Sequence, residues 1–165
     1  MNVDELIALL ARGSTIYDEP NVDALSHALQ CGEHLRREYP EEVELAVAGL
    51  VHDISDIADP TDHREHDVRG AALVRPLLGE RVAALVGAHV AAKRYLVALD
   101  PSYALSVRSV ETLAAQGGAS ADALADDPDF EAMLALRRAD DAAKDPSLVL
   151  RDLESWRPLL EKVAR

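Results

Sequence analysis

Val43-Glu44-Leu45-Ala46-Val47-Ala48-Gly49-Leu50-Val51-His52-Asp53 is an apolar run that ends abruptly on an imidazole and a carboxylate. Its spacing predicts a helix from Glu41 to Val51, with Val43, Val47 and Leu50 facing inward and His52-Asp53 at its C-terminal end. Successive helical residues point about 100° apart, so His52 can serve one ion while Asp53 turns toward two. Upstream, a helix from near Asn21 to Glu38 carries His27 and is ended by Pro40. Before it, Asn2 and Glu5 form the capping box of a helix that stops at Gly13, and Tyr17 falls in the loop that follows. Downstream, Ile54 to Asp67 is rich in Asp, His and Pro and reads as a loop with room for one helical turn. A helix from His66 to Leu78 breaks at Gly79, and the apolar helix from Glu80 to Leu96 carries His89 and Lys93 on one face. Ser102 to Ala115 forms the next helix, ended by Gln116-Gly117-Gly118, with Ser109, Thr112 and Gln116 as one polar stripe. Asp129 to Ala143 places Arg137 and Asp140 together, and Ser155 to Val163 packs the C-terminus through Trp156 and Leu160. No segment alternates apolar and polar residues long enough for a convincing strand. The expected fold is all-α, one compact domain over 1–165.

The charge balance narrows the partners. With 17 Lys+Arg against 30 Asp+Glu, the formal net charge of -13 repels a phosphate backbone, which excludes nucleic acid. Cys31 is the single cysteine, so no intramolecular disulfide forms, and the N-terminus lacks the basic region and apolar core of a secretory signal. A cytoplasmic protein is expected. Charged residues or Gly interrupt every apolar run before the roughly 20 residues a bilayer crossing requires, so no membrane partner is expected. The oligomeric state is left open.

Histidines on separate apolar helices, the His52-Asp53 pair and Asp140 on a late helix together suggest a metal site, because bundles build such sites from ligands converging on the core. Taken singly, each has an ordinary explanation: a lone His on an apolar helix is commonly a hydrogen-bonded core residue, and a lone Asp a solvated charge. The combination carries the inference. Four imidazoles and two carboxylates exceed what one ion takes, and a carboxylate such as Asp53 can bridge a pair.

The order His27, His52-Asp53, His66, His89, Asp140 resembles the HD-domain superfamily, whose members hydrolyse phosphate esters or, in a smaller branch, activate oxygen. His63 competes with His66 for its place; His66 is preferred because it opens the helix continuing through Val68 and Ala72. Further stretches are similar to one branch, the di-iron oxygenases that cleave the carbon–phosphorus bond of 1-hydroxyphosphonates, relatives of myo-inositol oxygenase. These are Tyr17 ten residues before His27, His27-Ala28-Leu29-Gln30-Cys31, His89-Val90-Ala91-Ala92-Lys93-Arg94-Tyr95-Leu96, Glu111-Thr112-Leu113 leading to Gln116-Gly117-Gly118, and Phe130 ten residues before Asp140. The resemblance spans nearly the whole chain. It implies a compact HD-domain bundle with a dinuclear core site, in which His27, His52, Asp53, His66, His89 and Asp140 hold a mixed-valent Fe(II)/Fe(III) pair and dioxygen is the co-substrate. It also implies that Tyr17 occupies the open iron position at rest and leaves when substrate binds. Lys93, Arg137, Ser109, Thr112 and Gln116 would hold the phosphonate; two cations and three neutral hydrogen-bonding side chains suit a tetrahedral dianion.

The chain departs from that branch in two places. Amine-binding members carry a Glu three residues after the resting-state Tyr, where this chain has Pro20, with Glu19 one position earlier as the candidate substrate contact. Members also continue the His-Asp pair as Leu-Gly-His, whereas this chain reads Ile54-Ser55-Asp56, an anion where a cation would face the phosphonate. The expected activity is oxidative cleavage of a small organophosphonate to phosphate and a carboxylic acid, with the substituent on its second carbon left open: amine, quaternary ammonium or none. The alternative is a two-metal phosphohydrolase acting on a small phosphate ester. A non-catalytic binding domain requires a broken ligand set, which the sequence does not show.

Overall fold

The helix Val43–Val51 is buried on every side from Leu45 to Val51, while Val43 is only half-buried. Helices before and after it in the chain pack on it. In the computed structural model, residues 1–19, 21–100, 102–103, 105–121, 124 and 126–165 are described, at positions 18, 19, 107 and 108 through the backbone alone. Among them the order is α1 (Val3–Ala11), β1 (Tyr17–Glu19), β2 (Val22–Asp23), α2 (Ala24–Glu38), α3 (Val43–Val51), α4 (Ile54–Ala58), α5 (His66–Leu99), α6 (Val107–Ala115), α7 (Phe130–Ala142) and α8 (Arg157–Val163), with 3-10 turns at Arg12–Thr15 and Leu153–Trp156. The class is all-α, with one two-stranded hairpin.

Local chemistry explains the boundaries. Asn2 accepts from Glu5 N at 2.9 Å while the Glu5 side chain returns to Asn2 N at 2.9 Å, the reciprocal cap expected from the sequence. The helix expected from near Asn21 starts later, because Asp23 is its cap, accepting from Ser26 N at 2.9 Å, and Asn21 sits in the left-handed region at φ 63°. That turn pairs β1 with β2 antiparallel, Tyr17 opposite Asp23, where the sequence suggested only a loop. The Asp-rich segment after Asp53 does contain a short helix, α4. Helix α6 starts at Val107 rather than Ser102: Ser106 is its cap, and Ser102 is tied instead to Asp100 by a 2.9 Å bond from its backbone N.

Helix α5 is a hairpin. Gly79 interrupts it at φ 84° and ψ -179°, a conformation open in practice only to glycine. The two arms then fold back on each other: a Cβ at Gly70 would lie 3.2 Å from Val86 Cγ1, and one at Gly87 would lie 3.4 Å from Ala71 Cβ. The break therefore returns the chain so that residues near 66 face residues near 89. Arg165 N donates to Leu77 O at 2.9 Å, so the chain end closes over the bend. One stretch of α5 is long and apolar enough to cross a membrane by length and composition, contrary to the sequence expectation, because averaging over a window tolerates isolated charges; 56% of it is buried inside the fold, which makes it a core helix.

The core is continuous. Helices α2, α5 and α7 all pack on α3, α8 closes one end, and Trp156 and Leu160 are buried there as anchors. Gly79→Ala should destabilise the protein by about 1–3 kcal/mol through backbone strain, and its Cβ would also displace the Arg165 side chain. Urea denaturation checks this, and an unchanged midpoint would show that the bend tolerates a side chain.

Candidate metal centre

His27 comes from the first turn of α2, His52 from the residue that caps α3, Asp53 from the next residue, His66 and His89 from the two arms of α5, and Asp140 from the last turn of α7. All six lie together, Asp53 half-buried and its carboxylate shared between two groups. Oδ2 lies 3.1 Å from His52 Nε2 and 3.7 Å from His27 Nε2, while Oδ1 lies 3.6 Å from His89 Nε2 and 3.7 Å from His66 Nε2. Asp140 Oδ1 completes the first group, 3.2 Å from His27 Nε2 and 3.8 Å from His52 Nε2. Each group can hold one ion with Asp53 between them.

The tautomers show that these groups suit a cation. A carbonyl can only accept, so Nδ1 of His27 donates to Ala143 O (2.8 Å), that of His52 to Gly49 O (2.8 Å) and that of His89 to Val86 O (2.7 Å). In the neutral rings the Nε2 atoms are then bare acceptors, and those of His27 and His52 oppose each other at 3.2 Å. His66 Nε2 lies 3.0 Å from His89 Nε2 and can donate to it, since no carbonyl fixes its own tautomer among the described residues. Opposed lone pairs in a buried site repel unless a positive charge lies between them, and Nδ1 anchored on a carbonyl is the usual outer support of a metal-binding imidazole.

The electrostatics agree. Burial pushes the Asp53 carboxyl up, but His52, His89 and His66 outweigh it and hold it well below its ordinary value. Burial likewise opposes Asp140, which Arg137 and His52 nevertheless keep well below the usual range. His89 is pushed down to about 3, by burial and then by His66, so it stays neutral as a ligand must. His52 is fully buried, which disfavours charge, yet Asp53 and Asp140 help raise it well above its ordinary value, so a proton is held on its Nε2 at the place where a metal ion would replace it.

A cavity of about 100 Å³ opens onto these residues. Lys93, Ser109, Thr112, Gln116 and Arg137 line it with His27, Asp53, His66, His89 and Asp140. Lys93 is only 3% exposed and donates to Thr112 Oγ1 at 3.1 Å. Arg137 is equally buried: Nη1 donates to Asp140 Oδ2 at 2.7 Å, Nε to Asp141 Oδ2 at 2.9 Å and Nη2 to Ser109 Oγ at 3.2 Å. Its first effect is therefore to aim Asp140. Asp141, which reads as a solvated charge in the sequence, is instead a partner of Arg137 and accepts from Tyr103 Oη at 2.8 Å.

No family model matches the chain. Among curated proteins it is 34% identical over 164 residues to hydroxymethylphosphonate dioxygenase of Gimesia maris, covering 90% of this chain and 81% of that protein. It is 30% identical over 166 residues to the glycine-betaine-forming 1-hydroxy-2-(trimethylamino)ethyl phosphonate dioxygenase of Leisingera caerulea, covering 92% and 84%.

The chain belongs to the hydroxyphosphonate dioxygenase family.

Two expectations for this hydroxyphosphonate dioxygenase family member fare differently. Tyr17, expected over the open metal position, is 64% exposed on β1 and is not among the described cavity residues, because its strand pairs with Asp23 at the outer edge of the α2 cap. The side chain of Glu19 and all of Pro20 lie outside the described residues. Sequence reasoning missed Val22, Ala24 and Lys144 in the cavity wall. Lys144 lies beyond the end of α7, so helical spacing gave no signal for it, and Val22 and Ala24 depend on the hairpin, which left none either.

If Asp53 is shared as its oxygens indicate, Asp53→Ala should lose most bound metal, measured by elemental analysis after anaerobic loading. Retention of two ions would remove it from the site. Burial, and then Arg137, lowers Lys93 to about 8, so its positive charge is present below that pH and lost above it. The KM for a dianionic substrate should rise as pH passes about 8, and Lys93→Arg should flatten that rise; a flat wild-type profile would separate Lys93 from the substrate.

Proposed function

We propose that this chain is an HD-domain oxygenase that binds an Fe(II)/Fe(III) pair and uses dioxygen to cleave the C–P bond of a 1-hydroxyphosphonate to phosphate and a carboxylic acid. The observation that carries the reading is the pair of ligand groups joined through Asp53 and set against a Lys–Ser–Thr–Gln–Arg wall, in a chain whose relatives are named phosphonate dioxygenases. Those names also favour oxidation over the hydrolysis of a phosphate ester.

His27, His52, Asp140 and one oxygen of Asp53 would hold one iron, and His66, His89 and the other oxygen of Asp53 the second. When bound, the pair supplies redox chemistry toward dioxygen and a chelation point for the substrate's hydroxyl and one phosphonate oxygen. Lys93 neutralises the phosphonate, while Thr112, Ser109 and Gln116 offer hydrogen bonds to its remaining oxygens. Arg137 adds positive charge to that wall and keeps Asp140 ionised and oriented. Enclosure by α3, α5 and α7 limits water, which strengthens these contacts. The balance is complete with dioxygen alone. The C–H and C–P bonds of the substrate supply four electrons, one oxygen atom ends in the carboxylate and one in phosphate, and no external reductant is consumed.

Metal-loaded protein should release phosphate from at least one 1-hydroxyphosphonate only in the presence of dioxygen, with one dioxygen consumed per phosphate. Phosphate release under anaerobic conditions, or turnover confined to phosphate esters, would overturn the reading.

A further inference from the structure

Asp56 and His63 lie in the same cavity as the metal-centre residues, but neither belongs to the ligand groups or to the Lys93 wall. Asp56 is on α4 and His63 in the segment leading into α5. Their side chains meet, Asp56 Oδ2 lying 3.2 Å from His63 Nδ1, with Asp56 13% exposed and His63 37% exposed at the mouth. Asp56 Oδ1 and His63 Nδ1 are buried atoms without a hydrogen-bond partner among the described residues. A buried carboxylate oxygen left without a donor is costly, so this corner is built for a group that brings one.

We propose that Asp56, oriented by His63, is the subsite for the substituent on the substrate's second carbon, and that the substituent it takes is a protonated primary amine. The proposal rests on the hydroxyphosphonate reading above. Charge sets the direction of binding. A carboxylate repels the phosphonate, which the Lys93–Arg137 side attracts, so a zwitterionic substrate lies with its anionic end on that side and its cationic end at Asp56. The kind of cation follows from the wall. The described lining contains no Phe, Tyr or Trp, hence no aromatic cage for a quaternary ammonium. A primary ammonium, with three donors, satisfies Asp56 Oδ1 directly. Asp56 thereby provides an anion from α4 to this corner of the cavity.

The test compares wild type with Asp56→Asn, which keeps the side chain's shape, in metal-loaded protein. The probes are 1-hydroxy-2-aminoethylphosphonate, its trimethylammonium analogue, 1-hydroxypropylphosphonate and hydroxymethylphosphonate. Phosphate release under oxygen gives kcat/KM, and anaerobic calorimetry gives Kd; metal content is checked in both proteins. The proposal expects wild type to prefer the primary amine. In the variant, the preference for the amine over 1-hydroxypropylphosphonate should fall roughly tenfold to a hundredfold in both measurements, the loss of one charge-assisted contact. His63→Gln should produce a smaller fall in the same ratio. An unchanged ratio in Asp56→Asn, or a wild type that prefers the uncharged probes, overturns the subsite. Amine-selective binding that depends on Asp56, without phosphate release from any probe, supports the subsite and sinks the oxygenase reading.

Discussion

Two imidazole nitrogens are held face to face in the interior of this protein, an arrangement that is unfavourable unless a proton or a metal ion lies between them, and much of the structure serves it. His27 and His52 cannot rotate away, because their other ring nitrogens are bonded to backbone carbonyls at helix ends: Gly49 O in the last turn of α3 and Ala143 O just beyond α7. Helix termini leave such carbonyls without intrahelical partners, so the ends of α3 and α7 orient the ligands at no loss to either helix. The apolar burial of α3 then fixes where those ends lie. A fold that forces acceptors together through tightly packed helices is complementary to a cation, and Asp53 extends that complementarity to two.

Much of this was legible in the sequence, for identifiable reasons. The Asn2–Glu5 cap, the break at Gly79 and the burial of Trp156 and Leu160 follow from local rules that tertiary contacts did not override. The six convergent residues were legible as a set because imidazoles on apolar helices have few other uses. The hairpin at Tyr17–Asp23 was not, since five residues of strand held by a left-handed Asn21 leave no alternating pattern. The role of Asp141 was also hidden. A carboxylate next to Asp140 looks solvated until Tyr103, 38 residues away along the chain, is seen to donate to it, and nothing local announces such a contact.

The cavity combines opposite charges in close quarters. Asp53, Asp56 and Asp140 face Lys93, Arg137 and Lys144 within one small enclosure. Burial would neutralise any of these groups alone, but neighbours hold Asp53 and Asp140 ionised, whereas Lys93 is brought down toward neutral pH. Asp53, Asp140 and Arg137 therefore keep their charges, whereas Asp56, raised by burial and then by Asp53, and Lys93 lie closer to losing theirs.

The hairpin of α5 carries an implication for how this sequence can change over time. His66 meets His89 across the same bend that sets Ala71 against Gly87 and Gly70 against Val86. Inserting or deleting a single residue in either arm would turn every side chain beyond it by about 100°, carrying one histidine out of the centre. The segment between α4 and α5 runs over the surface and, apart from the placement of His63, is free of that restriction. Length variation among relatives should therefore gather in that segment and be absent between positions 66 and 89, a pattern imposed by helical geometry whatever substrate each relative has come to use.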